Sequence, residues 1–83
     1  MQDIDPNISQ AIVKVLQECG RNKPLAIRPL TTFANGNLRV EATPEDVQRH
    51  VTDLERKGYV ERRANRFNAS VLEWAITDAG LTL

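Results

Sequence analysis

Thr43 to Arg63 reads TPEDVQRHVTDLERKGYVERR, and the fold turns on how that stretch divides. The Thr43 hydroxyl can accept from an open first-turn amide, Pro44 has no N–H to lose at the first helical position, and Glu45 and Asp46 place negative charge at the positive end of the helix dipole. A helix is therefore predicted from Thr43 to about Lys57, with Val47, Val51 and Leu54 as its buried stripe and Gly58 as the left-handed residue that ends it. Past Gly58 the apolar period drops to two, so Tyr59 to Arg63 reads as a strand.

Working toward the C-terminus, Asn65 to Ser70 is expected to be a turn and Val71 to Ile76 a returning strand with Leu72, Trp74 and Ile76 on one face. Trp74 should then be the largest piece of the core, with Tyr59 near the other end of the hairpin. Thr77-Asp78-Ala79-Gly80 reads as a cap followed by at most one helical turn.

Working toward the N-terminus, two readings compete between Pro24 and Ala42. In the preferred one, Leu25-Ala26-Ile27 is a short strand and Pro29 opens a short helix that ends at Asn35-Gly36. In the other, Asn35-Gly36 is a two-residue hairpin turn that sets Phe33 opposite Leu38. Before this segment, Asp5-Pro6 starts a helix running to Cys19, with Ile8, Ala11, Ile12, Val15, Leu16 and Cys19 as one apolar stripe and Gly20 as its stop.

At 83 residues the chain is one domain, 1–83, with room for a single modest core. No pair of titratable side chains stands at catalytic spacing, so an enzyme is not expected, nor a cofactor or small-molecule substrate. Cys19 has no second thiol to pair with, which points to a reducing, cytoplasmic setting. His50 has no second histidine or paired cysteine at ligand spacing, so it is expected to be a half-buried, hydrogen-bonded side chain and no metal is expected. No apolar run approaches the roughly 20 residues that span a bilayer, and the acidic start lacks the basic region of a signal peptide, so the mature chain is expected to be the whole chain. Formal net charge is zero, which disfavours coating nucleic acid nonspecifically. The distribution is uneven, however: Arg56, Lys57, Arg62, Arg63 and Arg66 face one acid, Glu61, within a single short segment.

Helix, weak segment, capped helix and basic hairpin is the order of a winged helix-turn-helix. LERKGYVERR at Leu54 to Arg63 is similar to the junction between recognition helix and wing in the MarR-type bacterial regulators, and EWAITDAG at Glu73 to Gly80 is similar to their returning wing strand and following cap. The resemblance covers about half the chain, Thr43 to Gly80. It implies that Thr43 to Lys57 is a recognition helix lying in the major groove and that Arg62 to Ser70 forms the wing. Two departures stand out: Gly36 to Ala42 lengthens the connection into the recognition helix, and the long dimerisation helices of that family are lacking. Any homodimer is therefore expected to be built differently, the first helix and the Leu81–Leu83 tail being candidates.

The expectation is an α+β winged helix-turn-helix with three helices and a small antiparallel wing sheet, binding double-stranded DNA as a small transcriptional regulator. If Val47, Val51 and Leu54 face inward, helical stepping puts Glu45, Gln48, Arg49, Thr52 and Arg56 outward. Gln suits adenine, Arg suits guanine and a Thr methyl suits thymine, so Gln48, Arg49 and Thr52 are candidate base readers. The same face also reads as a solvated surface, since Glu45–Arg49 and Asp53–Lys57 are spaced for helix ion pairs. Arg62, Arg63 and Arg66 on the hairpin suit phosphates or a narrow minor groove. Phe67 beside Arg66 could stack or insert at DNA, but an aromatic at a hairpin's end more often folds back onto the strand it follows, and that is the expectation. The alternative is a winged helix that serves as a protein-interaction adaptor, which the neutral charge, acidic helix start and long connection would also suit.

Overall fold

The computed structural model describes residues 4–38 and 41–83. Its elements are α1 (Pro6–Cys19), β1 (Leu25–Ala26), α2 (Ile27–Asn35), α3 (Pro44–Arg56), β2 (Val60–Ala64), β3 (Leu72–Ile76) and α4 (Asp78–Leu81). α1 and α3 begin where their capping chemistry lies. The Asp5 carboxylate accepts from the Asn7 amide at 2.9 Å to start α1. Thr43 and Asp46 close a reciprocal capping box on α3, the Thr43 hydroxyl accepting from the Asp46 amide and the Asp46 carboxylate from the Thr43 amide, both at 3.1 Å. Gly20 (φ 83°) and Gly58 (φ 86°) end α1 and α3 in backbone conformations that cost other residues strain.

Between Pro24 and Ala42 the helical reading prevails, and Gly36 shows why. A two-residue hairpin turn of the Asn-Gly kind needs positive φ at both central residues, whereas Gly36 has φ −63° and continues the helical sense. α2 starts at Ile27, two residues before Pro29, because a proline in the first helical turn surrenders an amide that has no intrahelical acceptor anyway. The long connection is tied at its base: the Asn35 side chain donates to the Ala42 carbonyl at 3.0 Å and accepts from the Ala42 amide at 2.7 Å. Part of that connection, residues 39 and 40, lies outside the described residues.

The strands form one antiparallel sheet in the order β1-β3-β2. Arg62 pairs with Trp74 and Arg63 with Glu73 across β2 and β3, while Leu25 and Ala26 pair with Trp74 and Glu73 from the other side. β3 is thus the central strand, and Trp74, Ala75 and Ile76 are all buried. Leu72 shares the face of Trp74 and Ile76, as strand alternation requires, but it sits at the tipward end of β3, beyond β1, and is 40% exposed. The helix count is corrected, since Thr77 caps a single turn, α4, which makes four helices among the described residues.

The core lies between the three long helices and the inner face of the sheet. Ile12 and Leu16 from α1, Leu30 and Ala34 from α2, Val47, Val51 and Leu54 from α3, and Val60, Trp74 and Ile76 from the sheet form one cluster. Cys19 and Tyr59 are only partly buried against it. Gly80 permits the closing contact of α4, because a Cβ there would collide with the Tyr59 carbonyl and stand 2.5 Å from Ile76 Cδ1.

Candidate nucleic-acid interface

α3 is held to the core by its apolar stripe and by His50, which is fully buried where half-burial was expected. His50 Nε2 accepts from the Asp5 amide at 2.8 Å and Nδ1 donates to the Asp46 carbonyl at 2.6 Å, so both hydrogen bonds are satisfied by the neutral ring carrying its proton on Nδ1. One side chain therefore locks α3 to the start of α1. With the inner face fixed, Glu45, Gln48, Thr52 and Arg56 are exposed.

The structure brings four of the candidate residues into one shallow groove between α3 and the sheet, lined by Gln48, Thr52, Glu55, Arg56, Arg62 and Trp74. Gln48 and Thr52 also line a second open groove toward α2, with Arg49, Glu45, Pro44 and Ile27. Gln48 and Thr52 are paired with each other at 3.2 Å, and Thr52 donates back to the Gln48 carbonyl at 2.8 Å. Arg63 stands apart from these grooves, since successive side chains of β2 point to opposite faces. Arg66 lies in the turn beyond the strand.

Most of the arginines here are engaged by the chain's own acids. Arg49 pairs with Asp46 at 2.9 Å, correcting the expected Glu45 partner: Asp46 is already oriented by its capping role and lies one turn away on the same side. Asp53 holds both Arg56 at 3.1 Å and Lys57 at 3.0 Å. Arg62 reaches Glu55 on α3 at 3.5 Å, and Arg63 pairs with Glu61 on its own strand. Arg66 is the exception, an exposed cation with no carboxylate within ion-pair distance among the described residues. The hydrogen bond from the Thr43 amide, aided by the Arg49 guanidinium and the Thr43 hydroxyl, holds the Asp46 carboxyl below its ordinary value. Lys57 first and Arg56 second do the same for Asp53.

Glu55 and Asp46 belong to this surface, although the sequence marks Asp46 only as a helix-start carboxylate and does not single out Glu55. Asp46 was discoverable, since T-x-x-D is a capping signature and Arg49 stands three residues on. Glu55 was not, because its partner Arg62 is brought near only when the hairpin folds back on α3. Phe67 overturns the expectation that it folds onto the strand, for it is 93% exposed. The Asn65 side chain accepts from the Phe67 amide at 2.8 Å and from the Asn68 amide at 3.0 Å, turning the backbone so that the ring projects from the tip. Among the described residues, no group of three or more His, Cys, Asp or Glu is placed to hold a metal ion, and no helix is long and apolar enough to cross a membrane.

Three packed helices and a hairpin that returns alongside the third define a winged-helix fold. Solved structures share it. ZitR of Lactococcus lactis superposes with a TM-score of 0.75 at 13% identity, over 94% of this chain and 47% of that one. MepR of S. aureus, solved as a complex with DNA, gives 0.74 at 16% identity over 96% and 58%. FabT of Streptococcus pneumoniae, also in complex with DNA, gives 0.65 at 22% identity over 94% and 48%. Other matches include a Silicibacter pomeroyi transcriptional regulator described as MarR family, with a TM-score of 0.71 at 18% identity over 92% of this chain and 44% of that one. The chain is thus a winged helix of the MarR-type fold, and it spans about half the length of these structures. No family model and no curated protein matches its sequence.

Proposed function

We propose that the chain binds duplex DNA as part of a transcriptional regulator, with α3 in the major groove and the β2–β3 hairpin as a wing against the backbone or minor groove. The observation that carries this reading is the groove in which Gln48, Thr52 and Arg56 of α3 meet Arg62 of the wing on a single surface. Donors and acceptors on α3 suit base edges, and cations on the hairpin suit phosphates. The likeness in fold to MepR and FabT, both solved with DNA, adds support. Gln48, Arg49 and Thr52 are the base readers in this reading, and Arg56, Arg62, Arg63 and Arg66 the backbone contacts.

The test is fluorescence anisotropy of a labelled random-sequence duplex at several salt concentrations, with the wild type beside a variant carrying Arg62→Ala, Arg63→Ala and Arg66→Ala. Phosphate contacts make the wild type weaken as salt rises and leave the variant weaker, with a shallower dependence on salt. Absence of wild-type binding at low salt would sink this reading in favour of a protein-interaction adaptor. One observation favours that second reading: Arg49, Arg56, Arg62 and Arg63 already have carboxylate partners within the chain.

A further inference from the structure

The wing tip carries the most exposed large hydrophobic side chain among the described residues. Phe67 is 93% exposed, and Val71 and Leu72 behind it are 37% and 40% exposed. A lone surface aromatic is unremarkable by itself, but three features distinguish this one. First, the turn that presents it is ordered from both sides: Asn65 fixes the Phe67 and Asn68 amides, and the Asn68 carboxamide accepts from the Ser70 amide at 3.1 Å and from the Ser70 hydroxyl at 2.6 Å. The ring is therefore held outward with little backbone freedom left to lose on binding. Second, its neighbour Arg66 is the candidate arginine with no acid partner among the described residues, so the apolar ring stands beside an uncompensated positive charge. Third, Asn65, Asn68 and Ser70 leave the tip without an acid between Glu61 and Glu73. An apolar wedge flanked by a cation, on a tip whose neighbouring carboxylate, Glu73, accepts from the Asn65 side chain at 3.2 Å at the base of the turn, is complementary to a polyanion whose interior is stacked and apolar.

We propose that Phe67 enters the minor groove of the duplex as an apolar wedge against a base step, with Arg66 on the adjacent phosphates; this rests on the DNA-binding reading above. A minor groove about 6 Å wide admits a phenyl ring only where the duplex yields, so the contact favours flexible pyrimidine–purine steps such as TA over stiff A-tracts. The wedge is a contact to bases and sugars, so it adds affinity without releasing counterions. That separates it in measurement from every arginine on the wing.

The experiment titrates two labelled duplexes, one rich in TA steps and one an uninterrupted A-tract, with the wild type, Phe67→Ala, Phe67→Trp and Arg66→Ala at several salt concentrations. Phe67→Ala should weaken binding to the TA-rich duplex by roughly 5- to 100-fold, the range that stacking of an aromatic on a base supports, with the salt slope unchanged and the preference for TA steps reduced. Phe67→Trp should restore both. Arg66→Ala should instead lower the salt slope by about one. Equal affinity of wild type and Phe67→Ala on both duplexes overturns the wedge and leaves DNA binding standing. A shallower salt slope for Phe67→Ala also overturns it, since the ring would then only be arranging phosphate contacts. No binding by the wild type at low salt overturns the DNA-binding reading itself. Matching thermal midpoints for the Phe67 variants confirm that the exposed ring leaves the fold intact.

Discussion

α3 and the wing tip present charge in opposite ways. α3 is anchored from beneath by Val47, Val51, Leu54 and His50, and its cations are neutralised by its own carboxylates, Asp46 for Arg49 and Asp53 for Arg56 and Lys57. The tip has no side chain in the core, is ordered by Asn65 and Asn68, and leaves Arg66 uncompensated. The difference separates two tasks. On the proposed reading, a helix whose guanidiniums are each paired with a carboxylate would gain less from a phosphate, so its polar side chains would discriminate more than they attract. An unpaired cation on a projecting turn attracts any duplex. On the proposed DNA-binding reading, zero net charge overall is no obstacle, because the attraction would come from one uncompensated cation, Arg66, at the wing tip.

The anchoring of α3 is where the comparison breaks most expensively. His50→Ala should destabilise the fold by about 3 kcal/mol, combining a cavity in the core with an unpaired Asp5 amide, and a thermal melt reads it directly. His50→Asn, which can present an acceptor but fills less space, should lose less. No stability change in His50→Ala would mean that α3 is held by its apolar stripe alone.

Releasing the α3 cations should narrow the contrast with the tip. Asp53→Asn removes the acid that holds Arg56 and Lys57 and should cost about 1 kcal/mol of stability while raising affinity for random-sequence duplex and steepening its salt dependence. A loss of affinity would show instead that Asp53 orients Arg56 for contact.

The same acids set the acid limb of stability. The folded-state pKa values of Asp46 and Asp53 lie below the ordinary value of 3.8, so the folded chain binds fewer protons than the unfolded chain in that range. Their stabilisation is complete above the ordinary carboxylate value and is lost as pH falls through the lower folded values. Chemical denaturation between pH 5 and about 2.5 should show that decline, and Asp53→Asn should flatten it.

How much of this surface could be read from the sequence depends on how local each cause is. The caps at Asp5 and Thr43, the stops at Gly20 and Gly58 and the stripe of Val47, Val51 and Leu54 depend on neighbours within a few residues, and all are found where the sequence places them. β1 pairing with β3, His50 reaching the Asp5 amide and Arg62 reaching Glu55 join distant segments, and no local pattern encodes them. Asn35 was ambiguous because the same Asn-Gly pair serves a hairpin or a helix end; the choice is made by its side chain closing on Ala42, seven residues away. Phe67 departs from its expected place for a related reason. General preference folds an aromatic onto its strand, while the Asn65 carboxamide, two residues back, turns it outward.

The smallest expected effect tests the tip by itself. Arg66→Ala should leave the thermal midpoint where it is, within about 0.5 kcal/mol, because an exposed side chain with no ion pair contributes little to the folded state. In DNA titrations the same change should lower the salt slope by about one unit, the signature of a single phosphate contact. Arg49→Ala supplies the control, since it breaks the pair with Asp46 and should disturb stability more than salt dependence. If the two variants exchanged signatures, attraction would lie on α3 and the division between a satisfied helix and an unsatisfied wing would be wrong, however closely the fold follows the winged-helix pattern.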